Sequence, residues 1–254
     1  MDLFRKAMLL CLMILLAAAC GRKEEVPEPA DLPAAETEAE TEENKEEERA
    51  EEEAETQEED PLREPLRVVF FGASNFARWE DLTELFPDVE AVNTAISGSV
   101  DQSQLEAAPE AVYAYEPDLV FIQTATNDFA RGMTLDQVLE TREVYYKSLE
   151  ENLPDARFVI MSPLPQPGRP DFWEDVKESN AWIHAWCLEN DAFDCIDTTD
   201  LMMLEEGPEE DSAGDGSFYD RSLFDEDGVH INEKGRAIWE QAIRRYLDQA
   251  ESRR

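Results

Sequence analysis

Between residues 66 and 197 five short apolar runs recur, and each pair of neighbours is separated by a segment long enough to form a helix. The runs are RVVFFG (67–72), VEAVN (89–93), DLVFIQT (118–124), RFVIMS (157–162) and FDCID (193–197). Runs of this length, rich in Val, Ile and Phe, read as strands buried on both faces. The segments between them, roughly 76–85, 102–115, 135–152 and 172–189, have helical character, and a last helix spans about 232–249. In that last helix Ile238, Trp239, Ile243, Tyr246 and Leu247 form an apolar stripe at helical spacing. Strands that alternate with helices assemble through right-handed crossovers into a parallel sheet covered on both sides. The expected fold class is α/β, a three-layer α/β/α sandwich around a five-stranded parallel sheet, flavodoxin-like. Residues 198–231 break the rhythm, being rich in Gly, Asp and Glu with one short apolar piece, TDLMML. A loop of that length in a compact domain is expected to serve function or to move.

In open α/β sheets ligands bind outside the carboxyl ends of the strands. The segments there are Gly72-Ala73-Ser74-Asn75, NTAISG (93–98), TATND (124–128) and, before the last helix, DEDGVHIN (225–232). Their Ser, Asn, Asp, His and Gly are the inventory of nucleophilic acyl transfer. Ser74 alone reads two ways, as a nucleophile or as a hydroxyl capping the next helix, and Asn75 caps equally well. The chain has two histidines. His184 falls in mid-helix between Trp182 and Trp186, a position typical of packing or surface. His230 lies in a polar loop, three residues after Asp227 and next but one to Gly228. A general base must reach the serine hydroxyl and be oriented by a third group. A carboxylate three positions upstream in a tight loop can accept the other ring N–H and fix the tautomer. Asp-x-x-His also suits a metal, but no second histidine is near, so no metal site is expected.

As an ordered set these blocks resemble the SGNH hydrolases, the GDSL-type esterases and lipases, over about residues 66–247. GASN resembles the nucleophile block, with Ser74. NTAISG resembles the glycine block, with Gly98, and ATND the asparagine block, with Asn127. DEDGVHIN resembles the last block, with Asp227 and His230. PDARFVIMSPLP, then Trp173 and ESNAWIHAWC, look like small single-domain members akin to the platelet-activating-factor acetylhydrolase type. The resemblance implies that Ser74 attacks an ester carbonyl, His230 moves its proton, and Asp227 orients His230. It implies an oxyanion hole from the backbone N–H groups of Ser74 and Gly98 and the Asn127 amide, with glycine at 98 for close approach to substrate. Water completes the reaction, so no cofactor is expected. Two positions depart from the pattern. Gly-Asp-Ser reads Gly72-Ala73-Ser74, which removes no triad member, and Gly-x-Asn-Asp reads Ala125-Thr126-Asn127-Asp128, which adds a Cβ beside the Asn127 loop. Phe129, Leu164, Pro165, Trp173 and Tyr219 are candidates for a pocket wall, or equally for ordinary packing.

The N-terminal quarter carries no fold signal. Residues 1–19 combine Arg5 and Lys6 with the apolar run MLLCLMILL and three alanines, the pattern of a signal peptide. The LAAAC ending resembles a bacterial lipoprotein signal, although Ala17 stands where Leu is usual, with Leu16 one place back. That resemblance implies cleavage before Cys20 and lipidation of its thiol. Residues 24–60 hold 19 acidic and two basic side chains and no aromatic. Such a segment cannot bury enough apolar surface to offset its ordering entropy. Residues 20–65 therefore read as a lipidated acidic tether, and 66–250 as the hydrolase domain. Residues 61–254 carry 41 acidic side chains against 16 basic ones, which excludes nucleic acid as a partner. Cys187 and Cys195 read as a disulfide or as two buried thiols with equal weight. The expected protein is an extracytoplasmic carboxylester hydrolase, lipid-anchored to the bacterial cell membrane, acting on short acyl groups of a small-molecule or glycan ester. An O-acyltransferase using the same triad and a binding lipoprotein without turnover are the alternatives.

Overall fold

The computed structural model describes residues 64–123, 126–164, 166–202 and 220–252. The expected signal, Cys20 and most of the tether lie outside these residues, as do Ala125, Pro165 and Tyr219.

Five strands form the sheet: β1 (Arg67–Gly72), β2 (Glu90–Asn93), β3 (Leu119–Gln123), β4 (Arg157–Met161) and β5 (Phe193–Ile196). All neighbours run parallel, in the order β2-β1-β3-β4-β5. This is the α/β, flavodoxin-like sandwich that the alternating apolar runs imply. The register sets Phe70 of β1 beside Asn93 of β2 and Phe121 of β3, so the ends of these strands finish together.

Alternate residues of each strand point to opposite faces, and two cores follow. On one side Val68, Phe70, Phe121, Val159 and Met161 pack with Phe76 and with Trp239, Ile243 and Leu247 of the last helix, α7 (Glu233–Glu251). Phe70 stacks on Phe121 with centroids 5.2 Å apart, and Phe76 meets Trp239 edge-on at 5.8 Å. On the other side Val69, Phe71, Val120, Ile122, Phe158 and Ile160 meet three helices. These are α2 (Asp101–Ala111), α4 (Leu135–Asn152) and α5 (Trp173–Glu189), contributing Ala108, Tyr145, Tyr146, Leu149 and Ile183 among others. Each fully buried Phe or Leu here contributes about 1.5–3 kcal/mol relative to exposure.

The expected helix over 76–85 is instead a short helix α1 (Ser74–Ala77) and a separate 3-10 turn (Leu82–Leu85). A ten-residue helix depends on tertiary packing, and here packing ends it. The Phe76 carbonyl accepts from Trp79 N and from Asn93 Nδ2, at 3.0 and 2.9 Å, which displaces the bond a fourth helical residue would make. The expected helix 102–115 is likewise α2 followed by a 3-10 turn at Tyr113–Tyr115. The remaining short helices are α3 (Asn127–Ala130) and α6 (Thr198–Met202).

Candidate active site

The site forms where β1, β2 and β3 end. Gly72 has φ +138°, and a Cβ there would lie 2.3 Å from the Gln123 carbonyl oxygen. Only glycine lets β1 turn out against β3 at this point. The next residue, Ala73, is wholly buried, and its N–H donates to Gln123 Oε1 at 3.1 Å. The chain then enters α1 with Ser74 as its first residue. The Ser74 hydroxyl caps nothing; its Oγ lies 2.9 Å from His230 Nε2. Asn75 does not cap either. Its Oδ1 accepts from Ile231 N at 3.2 Å and ties this turn to the loop carrying His230.

That loop is closed on itself. Phe224 and Ile231 form an antiparallel bridge, and Asp225 N donates to the His230 carbonyl at 2.8 Å. Asn232 caps α7, its Oδ1 accepting from Lys234 N and Gly235 N. Inside the loop Asp227 Oδ2 lies 2.6 Å from His230 Nδ1, while Asp227 Oδ1 accepts from the backbone N–H of Val229 and of His230 at 2.8 and 3.0 Å. Burial pushes the Asp227 carboxyl up, but the bonds from the His230 ring and these two backbone groups outweigh it and hold it at about 2. Asp227 is therefore ionised at neutral pH. A carboxylate at Nδ1 fixes the proton there and leaves Nε2 to accept from the Ser74 hydroxyl.

Across from this pair, Gly98 has φ +74° with nothing within 4 Å of an added Cβ. Its positive φ, not crowding within the protein, is what requires glycine at this position. Arg131 Nη2 donates to the Gly98 carbonyl at 2.8 Å. Asn127, at the start of α3, donates from Nδ2 to the Ser99 carbonyl at 2.9 Å. Arg169 Nη1 donates to Asn127 Oδ1 at 3.1 Å and to Thr126 Oγ1 at 2.8 Å. The Asn127 amide is thereby oriented, with its oxygen on Arg169 and one of its two amide hydrogens still available. Among the described residues no acceptor is present for the backbone N–H of Ser74 or of Gly98.

A buried ionic network supports this edge from behind. Ser99 Oγ donates to the Gly72 carbonyl at 3.0 Å and accepts from Gln104 Nε2 at 3.0 Å. Asp101, two residues on, accepts from Arg142 Nε at 2.7 Å, and Arg142 Nη1 reaches Ser179 Oγ at 2.5 Å. Asp128, next to Asn127, accepts from Asp101 N at 3.2 Å. Burial, together with the charge of Asp101, raises the Asp128 carboxyl to about 7, against the opposing pull of Arg142. A carboxyl raised on folding favours the folded state fully below its unfolded value, near 4, and that contribution fades as pH rises toward 7. Asp128→Asn removes the effect. The melting-temperature difference between Asp128→Asn and wild type therefore shifts in the variant's favour from about pH 4 to about pH 7. A difference that is constant with pH contradicts this assignment.

The five residues singled out by sequence, Ser74, Gly98, Asn127, Asp227 and His230, thus fall at neighbouring loop ends. The roles of Asn75 and Gln123, which fix the neighbouring residues Ile231 and Ala73, and of Arg131 and Arg169, which bond Gly98 and Asn127, were not anticipated. Two of them left a trace: Gln123 is the one polar residue of LVFIQ, and Arg169 the one base between Arg157 and Lys177. His184 pairs with Asp197 at 2.7 Å. Cys187 and Cys195 are free thiols facing each other from α5 and β5, and contact with Cys187, then burial, pushes the Cys195 thiol up. No disulfide joins them in this structure. Phe129 and Leu164 are buried core residues, and Trp173 is half-buried against the cluster that holds Phe129.

Comparison with known proteins identifies the family and the fold. The GDSL-like Lipase/Acylhydrolase family pattern matches residues 63–238, a stretch that includes all five residues. A GDSL-like lipase from Bacteroides thetaiotaomicron shares 22% identity at a TM-score of 0.60, over 80% of this chain and 97% of its own. A lipase/acylhydrolase from Enterococcus faecalis shares 18% at 0.57, over 74% and 97%. A catalytic mutant of an acetylxylan esterase from Geobacillus stearothermophilus shares 17% at 0.52, over 73% and 95%. No curated protein sequence matches. The structural likenesses establish a common fold, and the family pattern establishes kinship: the chain belongs to the GDSL-like lipase/acylhydrolase family, enzymes that hydrolyse carboxylic esters.

Proposed function

We propose that this chain is a lipid-anchored, extracytoplasmic carboxylester hydrolase working through Ser74, His230 and Asp227, and that it removes short acyl groups from a saccharide or cell-envelope ester. The continuous hydrogen-bond chain from Asp227 through His230 to Ser74, at 2.6 and 2.9 Å, carries the reading. His230 Nε2 takes the hydroxyl proton as Ser74 Oγ bonds to the ester carbonyl carbon. Asp227 stabilises the ring cation so formed. The oxyanion meets the N–H groups of Ser74 and Gly98 and the available Asn127 amide hydrogen. The ring then protonates the departing alcohol, leaving an acyl-Ser74 ester. Water, activated by the same ring, releases the acid and restores the hydroxyl. An acceptor sugar hydroxyl in place of that water would make the reaction an acyl transfer with the same residues.

The anchor reading rests on the LAAAC ending and the acidic segment after it. The short acyl group rests on the compact domain; an acetyl ester is also the substrate named for the Geobacillus neighbour. One labelling experiment on cells expressing the full chain tests activity and place together. A fluorophosphonate probe should label the protein in the membrane fraction and fail to label Ser74→Ala, and an alkyne fatty acid fed to the same cells should label wild type and not Cys20→Ala. Phosphonate labelling that survives in Ser74→Ala removes Ser74 as nucleophile, and an absence of fatty-acid labelling in wild type, or its survival in Cys20→Ala, removes the lipid anchor at Cys20.

A further inference from the structure

Arg67, Arg78, Arg142, Arg157 and Arg244 each pair with a carboxylate, Arg78 with Asp227 at 3.8 Å. Among the described residues Arg131, Arg169, Arg236 and Arg245 have none within ion-pair range, and of these four Arg131 and Arg169 hydrogen-bond to residues of the candidate site. Both sit instead on the oxyanion edge, one on the Gly98 carbonyl and the other on Asn127 and Thr126. They are joined through the site itself, because Asn127 donates to Ser99, the residue after Gly98. Arg169 uses only Nη1 for these bonds, and Arg131 only Nη2, so each keeps unengaged donors among the described residues. Burial lowers the Arg169 pKa against the opposing pull of Asp227, so the guanidinium is partly desolvated and no carboxylate among the described residues is in contact with it. A carboxylate of the substrate can supply that contact.

We propose that Arg169 and Arg131 form an anion subsite beside the oxyanion hole, and that the ester this enzyme hydrolyses carries a carboxylate close to the scissile carbonyl. This rests on the hydrolase reading above and names its substrate class. Guanidinium groups bind carboxylates through paired N–H donors in a planar match. A single negative charge suits the site better than a phosphate dianion, since residues 61–254 carry a net charge of −25 and Asp227 is close enough to act on Arg169. The bulk of the surface repels anions, so preference for one must come from short-range contact at these two side chains.

The test compares matched esters on the full-length protein. One pair, 4-nitrophenyl hemisuccinate and 4-nitrophenyl butyrate, places the charge on the acyl side. The other, 4-acetoxybenzoate and 4-acetoxybenzamide, places it on the alcohol side. In at least one pair kcat/KM should favour the anion by about tenfold, the scale of one charge-assisted hydrogen bond. Arg169→Gln and Arg131→Gln lower the rates of both members, because these residues also hold Asn127 and Gly98. The decisive quantity is the ratio, which should fall to unity or below, with Arg169→Lys retaining part of it. Ser74-dependent hydrolysis with no anion preference in either pair, or a ratio unchanged in both Gln variants, overturns the subsite and leaves the hydrolase standing. Hydrolysis that survives in Ser74→Ala sinks the hydrolase reading instead. The subsite is then judged by calorimetry with monomethyl succinate, whose binding should be present in Ser74→Ala and lost in Ser74→Ala/Arg169→Gln; equal or absent binding in both overturns it.

Discussion

Ser74→Ala lowers turnover of p-nitrophenyl acetate by about 10⁴-fold or more, and His230→Ala by a similar factor. The size follows from removing the atom that forms the acyl-enzyme, or the only base within reach of its proton among the described residues. The double variant should be no slower than either single one, because a nucleophile without its base, or a base without its nucleophile, contributes almost nothing. Asp227→Asn should also lose about 10⁴-fold, by a different route. It keeps the shape of the loop but replaces a carboxylate that accepts from Nδ1–H, so the ring is no longer held in the tautomer that presents a bare Nε2. The fold should persist in all three. Ser74 and Asp227 contribute nothing to either core, and Asn75 and Ile231 still pin the two loops together. Asp227 stays ionised down to about pH 2, so no acid limb in kcat/KM near neutrality comes from its protonation. Steady-state rates on purified protein check all of this. Wild-type rates in Ser74→Ala, with residual contamination excluded, would end the serine mechanism.

The sheet was legible because β1, β3 and β4 are apolar runs buried on both faces, while the edge strands β2 and β5 include polar residues and are only partly buried. The helix over 76–85 was misread for the opposite reason. Phe76, Trp79, Leu82 and Phe86 are spaced as on a helix and are indeed all buried. What ends the helix is Asn93, seventeen residues away, taking the Phe76 carbonyl, and no local pattern announces that bond. The site divides in the same way. Ser74, Gly98, Asn127, Asp227 and His230 are visible as blocks in order, because each block is local to one loop. Arg169 reaches Asn127 across 42 residues and Arg131 reaches Gly98 across 33, so their roles exist only once the loops are assembled. Ser74 and Asn75 show the limit of local rules. Both suit a cap, and both are used across 156 residues instead, one on His230 and the other on Ile231.

Arg142→Ala should destabilise the domain by about 3–5 kcal/mol, the cost of leaving one member of a buried ion pair alone. Arg142 and Asp101 are 0% and 1% exposed at their side chains, so water cannot take over the lost contact. Deleting the guanidinium leaves the Asp101 carboxylate among buried groups, next to Asp128, whose own charge is already disfavoured there. Ser179 loses its partner as well. Asp101 opens α2 directly after Gly98, Ser99 and Val100, so the damage should reach the oxyanion edge. At temperatures where Arg142→Ala remains folded, kcat on p-nitrophenyl acetate should fall while KM changes little, because the loop that meets the developing charge is loosened and ground-state binding is not. The pairwise origin can be separated from simple loss of packing. Asp101→Asn/Arg142→Met removes both charges and refills part of the volume, and should be less destabilised than Arg142→Ala alone. Denaturant unfolding of the single and double variants measures the difference. If the double variant loses the sum of the two single losses, Asp101 and Arg142 act independently, and the network does not hold the Gly98 loop through their charge.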